Sequence, residues 1–161
     1  LVMDVGGMAV AISNVHAERF EEVNKNEGSK SERETFYKRN LHERNAFIDR
    51  YFHQVRTASE VEAQKENIAI LLNQTLADVM SKKLDIKDAF DTFYFMIEEI
   101  GYYYAPFVDY FKDDLNPIIE EGRKVMQEIG SITASVGDIE LRQRCETEYE
   151  ELRTNYGYLF E

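Results

Sequence analysis

The chain is 161 residues long and 43% hydrophobic, which is enough for one folded domain with its own core and excludes general disorder. Its 19 basic and 31 acidic side chains give a net charge of −12, so most of the surface repels a phosphate backbone and nucleic-acid binding is not expected. The one cysteine, Cys145, excludes an intramolecular disulfide and fits a reducing compartment, so we expect a cytoplasmic protein.

Residues 1–30 form the first predicted unit. An apolar run from Leu1 to Ile12 precedes a short predicted helix, Val15 to Val23, and a polar linker that ends at Lys30. The apolar run either packs onto a core or a neighbour's groove, is the cytoplasmic end of a truncated transmembrane anchor, or is the remnant of a signal peptide. An anchor would attach the protein to the inner face of a membrane.

The second predicted unit, residues 31–161, has the periodicity of a helical bundle. No Gly or Pro interrupts residues 31–84, and Ser31 with Glu34 makes a capping-box pattern, so one long helix is predicted from 31 to 82. Its weakest point is Thr57-Ala58-Ser59, where a break is the alternative.

Two more long helices are predicted. The second helix is capped by Asp85 and begins at Ile86. Pro106 either ends this helix near Tyr104 or kinks it, and a kinked helix would continue to 112. Asn116 followed by Pro117 predicts the start of the third, which spans 117 to 156.

Apolar residues repeat every seven positions along the third helix, as in a coiled coil, at Ile118, Val125, Ile132 and Ile139. This register favours continuity through Gly130, and the alternative is that Gly130 and Gly137 each end a helix. After Ile139 the apolar stripe shifts to Leu141, Cys145, Tyr149, Leu152 and Tyr156. The predicted fold is all-α: an elongated antiparallel bundle of three long helices plus the short N-terminal helix.

Half of the twenty aromatic residues fall within 22 positions, from Phe90 to Phe111. On one helix such residues point in all directions, so the second helix is either central in the bundle or presents an aromatic face to a partner. The candidate interface residues are Tyr94, Tyr102, Tyr103, Tyr104, Phe107, Tyr110 and Phe111. An alternative is a small-molecule pocket near Gly101, lined by this helix.

No pattern for a metal, a cofactor or a catalytic group is present in the sequence. The Glu-x-x-His pairs of bundle metal sites are missing, and the three histidines, His16, His42 and His53, offer at most one ligand pair, eleven residues apart. Cys145 has no histidine near it in sequence and fits the apolar stripe. We therefore expect no cofactor, no metal and no enzymatic activity.

The segment from Ala69 to Phe111, with its Lys82-Lys83-Leu84-Asp85-Ile86 turn, and the stretch from Phe107 to Arg123 resemble bacterial proteins of unknown function. These proteins carry an N-terminal membrane helix and a small all-helical cytoplasmic domain. The resemblance implies an anchored interaction domain without catalytic residues.

The sequence therefore predicts a non-enzymatic interaction or scaffold domain that binds a protein through aromatic and acidic surface. Residues 85–161 carry 7 basic and 18 acidic side chains, whereas residues 1–84 carry 12 and 13. Because the acidic half repels a parallel copy of itself, a homodimer is expected to form head to tail or antiparallel. The alternative function is a sensor that binds a small molecule beside the aromatic helix.

Overall fold

The computed structural model describes residues 29–39 and 44–161. This part of the chain contains six α-helices and no strand: α1 Lys30–Arg39, α2 Arg44–Tyr51, α3 Ala58–Met80, α4 Ile86–Tyr104, α5 Val108–Ser135 and α6 Ile139–Phe160. The predicted all-α bundle is confirmed, but it has more long helices than the three expected. The apolar run Leu1–Ile12 and the predicted helix Val15–Val23 lie outside the described residues.

The prediction of one helix over 31–82 is wrong, because this stretch contains α1, α2 and α3. The capping box of α1 lies two residues earlier than expected: the Glu32 amide donates to Ser29 Oγ, and the Ser29 amide donates to the Glu32 carboxylate, each over 3.2 Å. A second complete box opens α3, where the Glu60 amide donates to Thr57 Oγ1. Thr57 therefore ends the preceding segment, and the alternative of a break there is confirmed.

The connection between α2 and α3 lies inside the protein. Phe52, His53, Gln54 and Val55 are each at most 6% exposed, although none of them is helical. Buried backbone carbonyls need hydrogen-bond donors, and here side chains supply them. Gln64 and Asn67 of α3 donate to the Tyr51 carbonyl over 2.6 and 3.0 Å, which fixes the end of α2 against α3.

The predicted start of the second helix and its end near Tyr104 are confirmed in α4. The continuation to 112 is wrong, because a 3₁₀ turn over Ala105–Phe107 separates α4 from the next helix. The Asp88 amide donates to the Asp85 side chain over 2.9 Å, as the capping pattern indicated, and α4 ends at Tyr104, just before Pro106. A tight turn joins α3 to α4, with Lys82 in the left-handed region at φ 61°. So short a connection makes the two helices antiparallel.

Pro117 does not begin a helix, which corrects the prediction of a start at Asn116 and Pro117. A 3₁₀ turn, Ala105–Phe107, leads directly into α5, and the break in helical geometry falls at Phe111 (φ −131°, ψ 33°). Pro117 lies inside α5, because Leu115 and Ile118 on either side of it are fully buried and their packing outweighs the lost hydrogen bond.

The predicted continuity through Gly130 is confirmed, but the helix does not reach 156. It ends at Ser135, and α6 begins after Asp138, whose side chain accepts the Leu141 amide over 2.8 Å. The shift of the apolar stripe is therefore a change of helix, and Ile139 is 63% exposed instead of buried. Cys145 and Leu152 of the shifted stripe are fully buried.

Helix α5 packs against α3, α4 and α6, and so forms the centre of the bundle. Close contacts fix the direction of α6 relative to α5. Gly130 and Gly122 of α5 meet Tyr149 and Phe160 of α6 in that order, so these helices are antiparallel. None of the helices in the described ranges is long and apolar enough to cross a membrane.

Candidate interaction surface

The structure divides the candidate interface residues between the core and the surface. Tyr103, Tyr104 and Phe107 are at most 4% exposed and belong to the core of the chain. Tyr102 is 45% exposed, whereas Tyr94 and Phe111 are partly buried. The side chain of Tyr110 lies outside the described residues. Among the candidate residues whose side chains the structure describes, the solvent-exposed surface therefore belongs to Tyr94, Tyr102 and Phe111.

Two of the three consecutive tyrosines point inward because the buried α2–α3 connection covers a further side of α4. The Tyr104 hydroxyl donates to the His53 carbonyl in that connection. Tyr103 packs edge to face on Tyr102 with ring centroids 5.3 Å apart. Full enclosure disfavours the tyrosinate, and burial raises the pKa of Tyr104 well above its usual value.

The space beside Gly101 is filled. A Cβ atom at Gly101 would lie within 2.6 Å of two ring carbons of Tyr156, so the α6 ring lies directly on the α4 backbone. A small molecule seated next to Gly101 would have to displace this ring.

Tyr156 helps to form a surface that the sequence did not indicate, which we call the α4–α6 surface. The two helices run parallel here, because Lys87 lies near Glu148 and Gly101 lies near Tyr156. This surface consists of Lys87, Asp91, Tyr94, Glu98 and Tyr102 from α4 together with Glu148, Glu151, Tyr156 and Tyr158 from α6. Its phenol rings and carboxylates are partly or fully exposed, and Tyr158 is 68% exposed.

Carboxylates dominate the electrostatics of the α4–α6 surface. Burial, and then the charges of Glu98, Glu151 and Glu148, raise the pKa of Tyr94. Burial together with Glu98 also raises the pKa of Tyr156. The pKa of Glu98 itself is raised by partial burial, so its charge is incompletely solvated. A surface of this kind attracts a cation.

One cation of the chain, Lys87, lies on this surface near the start of α4. Lys87 Nζ is 2.7 Å from Asp91 and 3.6 Å from Glu148, and it lies 5.1 Å from the centre of the Phe90 ring. Glu98 and Glu151, further along, form no ion pair with any residue that the structure describes.

The described surface also has a concavity outside the α4–α6 surface. A groove of about 520 Å³ runs between α1 and α3, with Tyr37, Ala69 and Ile70 among its lining residues. Its charged lining is balanced, with three lysines (Lys30, Lys38, Lys65) and three glutamates (Glu34, Glu62, Glu66).

The described residues hold no group of three or more His, Cys, Asp or Glu side chains placed to bind a metal ion. His53 is fully buried, with Nδ1 2.9 Å from the Tyr51 carbonyl, while His16 and His42 lie outside the described ranges. Cys145 is also buried, and burial raises the pKa of its thiol despite the nearby Lys87. A thiol in that state is a poor nucleophile at neutral pH.

Comparisons with protein-family models, curated proteins and solved structures found no significant match. The resemblance to membrane-anchored bacterial proteins therefore stays a prediction.

Proposed function

We propose that this protein is a non-enzymatic helical interaction domain, and that it contacts a protein partner through the α4–α6 surface. The supporting observation is the combination of exposed aromatic rings with two carboxylates, Glu98 and Glu151, that pair with no lysine or arginine among the residues that the structure describes. Tyr102 and Tyr158 offer large amphipathic contact area at one end of this surface, and Glu98 and Glu151 lie beside Tyr94 further along it. Tyrosine is one of the residues in which protein interfaces are enriched.

The rigid support of this surface also favours the proposal. Tyr156 is held against Gly101, and Phe160 is held against Gly122 of α5. Arg123 of α5 donates from Nε to the Phe160 carbonyl over 2.8 Å, which holds the last turn of α6 in place. Because the surface is organised before binding, little conformational entropy is lost when a partner binds.

A second copy of the chain is one candidate partner. The acidic half and the cations of α1 and α2 suit a head-to-tail or antiparallel homodimer. Sedimentation equilibrium at micromolar concentration would detect this arrangement. The variant to compare is the pair Tyr102→Asp and Tyr158→Asp, because both side chains are exposed and the fold should survive.

The same variant tests the function as a whole. We expect wild-type protein to self-associate or to retain specific partners in affinity capture, and the double variant to lose that association while its circular dichroism stays unchanged. The control is Glu62→Gln with Asp113→Asn, two exposed positions on α3 and α5. Unchanged association of the double tyrosine variant would contradict the proposal.

A further inference from the structure

We propose that the occupant of the α4–α6 surface is a lysine- or arginine-bearing segment of a partner protein, whose cation lies between Tyr94, Glu98 and Glu151. This inference rests on the proposed function and names the chemistry of the partner.

The argument begins with the site that Lys87 occupies. There, an aromatic ring (Phe90) and a carboxylate (Asp91) of α4 face a carboxylate of α6 (Glu148), and the ammonium group lies among all three. The chain thus shows which ligand this combination of groups accepts: a primary ammonium that is paired with two carboxylates and placed over a ring.

The same combination occurs again one turn further along. Tyr94 is four residues after Phe90, and its ring centroid is 6.1 Å from that of Phe90. The carboxylates whose charges act on Tyr94 are Glu98 on α4 and then Glu151 and Glu148 on α6. Among the described residues no lysine or arginine pairs with either carboxylate. The second position therefore has a ring and two carboxylates, as the first position does, but no lysine or arginine of the described ranges lies between them.

Partial burial adds a driving force. Partial burial of the carboxyl group raises the pKa of Glu98, although the side chain as a whole is exposed. A cation placed beside Glu98 and Glu151 would offset that loss of solvation.

A protein segment fits better than a small free amine, because the surface continues beyond the charges. Tyr102 lies eight residues after Tyr94, about 12 Å along the helix axis, and on α6 Tyr158 is exposed two residues after Tyr156, which contacts Gly101. A cationic side chain at one position and an apolar side chain about two helical turns away would engage both parts. An anionic lipid surface is disfavoured by the same carboxylates.

The test uses fluorescent peptides and the intact protein. The probe is a short amphipathic helical peptide with lysines and leucines, and the comparison peptide has glutamine in place of every lysine. We expect the lysine peptide to bind more tightly, and added salt to weaken its binding. Replacing Glu98 and Glu151 with glutamine should weaken binding about five- to tenfold. Glu62→Gln with Asp113→Asn removes the same charge on α3 and α5 and should leave binding unchanged.

Three results would overturn the inference. The first is equal binding of the two peptides, and the second is an equal loss of affinity in both pairs of variants, since a general charge effect would then suffice. The third is binding of free spermidine as tight as that of the peptide. Nuclear magnetic resonance shifts confined to Tyr94, Glu98 and Glu151 would support it, whereas shifts confined to the α1–α3 groove would overturn it. If the tyrosine variants still abolish association, the proposed function stands even when the peptide fails.

Discussion

The ring of Phe160 lies directly on the backbone of Gly122, and a Cβ atom at Gly122 would stand within 2.8 Å of two of its carbons. Gly101 meets Tyr156 in the same way. Glycine weakens the interior of a helix, so its presence inside α4 and α5 is explained by this close approach of α6. The aromatic residues of α6 thereby fix its position on both neighbours.

Replacing Gly122 with alanine should therefore destabilise the protein. The gain in helix propensity, about 1 kcal/mol, is opposed by overpacking of the buried Phe160 ring, which typically costs about 1–3 kcal/mol. We expect the free energy of unfolding in urea to fall. Gly137→Ala is the control, since no atom lies within 4 Å of its Cβ position.

The double-mutant cycle identifies the cause. In a Phe160→Ala background the ring is gone, so Gly122→Ala should no longer destabilise the protein. An equal effect of Gly122→Ala in both backgrounds would contradict the role of the ring.

Tyr104→Phe should lower the stability at neutral pH. The change removes the hydroxyl group that donates to the buried His53 carbonyl. The loss of this hydrogen bond should lower the free energy of unfolding by about 1–3 kcal/mol. Tyr158→Phe, at a 68% exposed position, should change the free energy of unfolding by less than about 0.5 kcal/mol. Chemical denaturation of both variants measures the difference.

Stability should fall steeply at alkaline pH. In the unfolded chain Tyr104 ionises near pH 10, whereas burial raises its pKa in the folded protein. The unfolded state therefore loses its proton first, so the stabilisation is complete below about pH 10 and is lost as the pH rises further. Tyr37, whose pKa burial also raises, acts in the same direction.

Denaturant titrations between neutral pH and pH 11 would measure this slope, with tyrosinate absorbance recorded in parallel. Tyr104→Phe should make the fall in unfolding free energy shallower. A slope that does not change in this variant would show that Tyr104 is not the group responsible.

Thr57→Ala should weaken the start of α3. It removes the side-chain oxygen that accepts the Glu60 amide over 3.2 Å, and the loss of such a cap costs about 0.5–2 kcal/mol. Thr154→Ala, at an exposed position inside α6, serves as the control, because its hydroxyl donates to the Glu150 carbonyl of the same helix and caps no helix start. If the two variants unfold at the same denaturant concentration, the cap contributes nothing measurable.

Local signals in the sequence predicted what depends on neighbouring residues. Asp85 and Asp88 determined the start of α4, Pro106 marked its end, and the heptad pattern carried α5 through Gly130. The shift of the apolar stripe to Cys145 and Leu152 correctly identified the buried face of α6. The all-α class follows from these patterns, since caps and a 3.6-residue period act within a few residues of one another.

Long-range contacts decided the rest. Nothing near Phe52 to Val55 in sequence indicates a buried, non-helical connection, because its donors come from Gln64, Asn67 and Tyr104. Likewise, Pro117 is a strong start signal locally, but the burial of Leu115 and Ile118 keeps it inside a helix.

The candidate surface shows the same division. The sequence indicated aromatic residues on the second helix, and Tyr94 and Tyr102 are indeed partly or fully exposed. It did not indicate Glu148, Glu151, Tyr156 or Tyr158, because their proximity to α4 depends on how α6 packs. The sequence of each helix determines which of its faces are apolar or charged. Which faces of two helices pack together is decided only in the tertiary structure, by burial of apolar surface and by the close approach of α6 at Gly101 and Gly122.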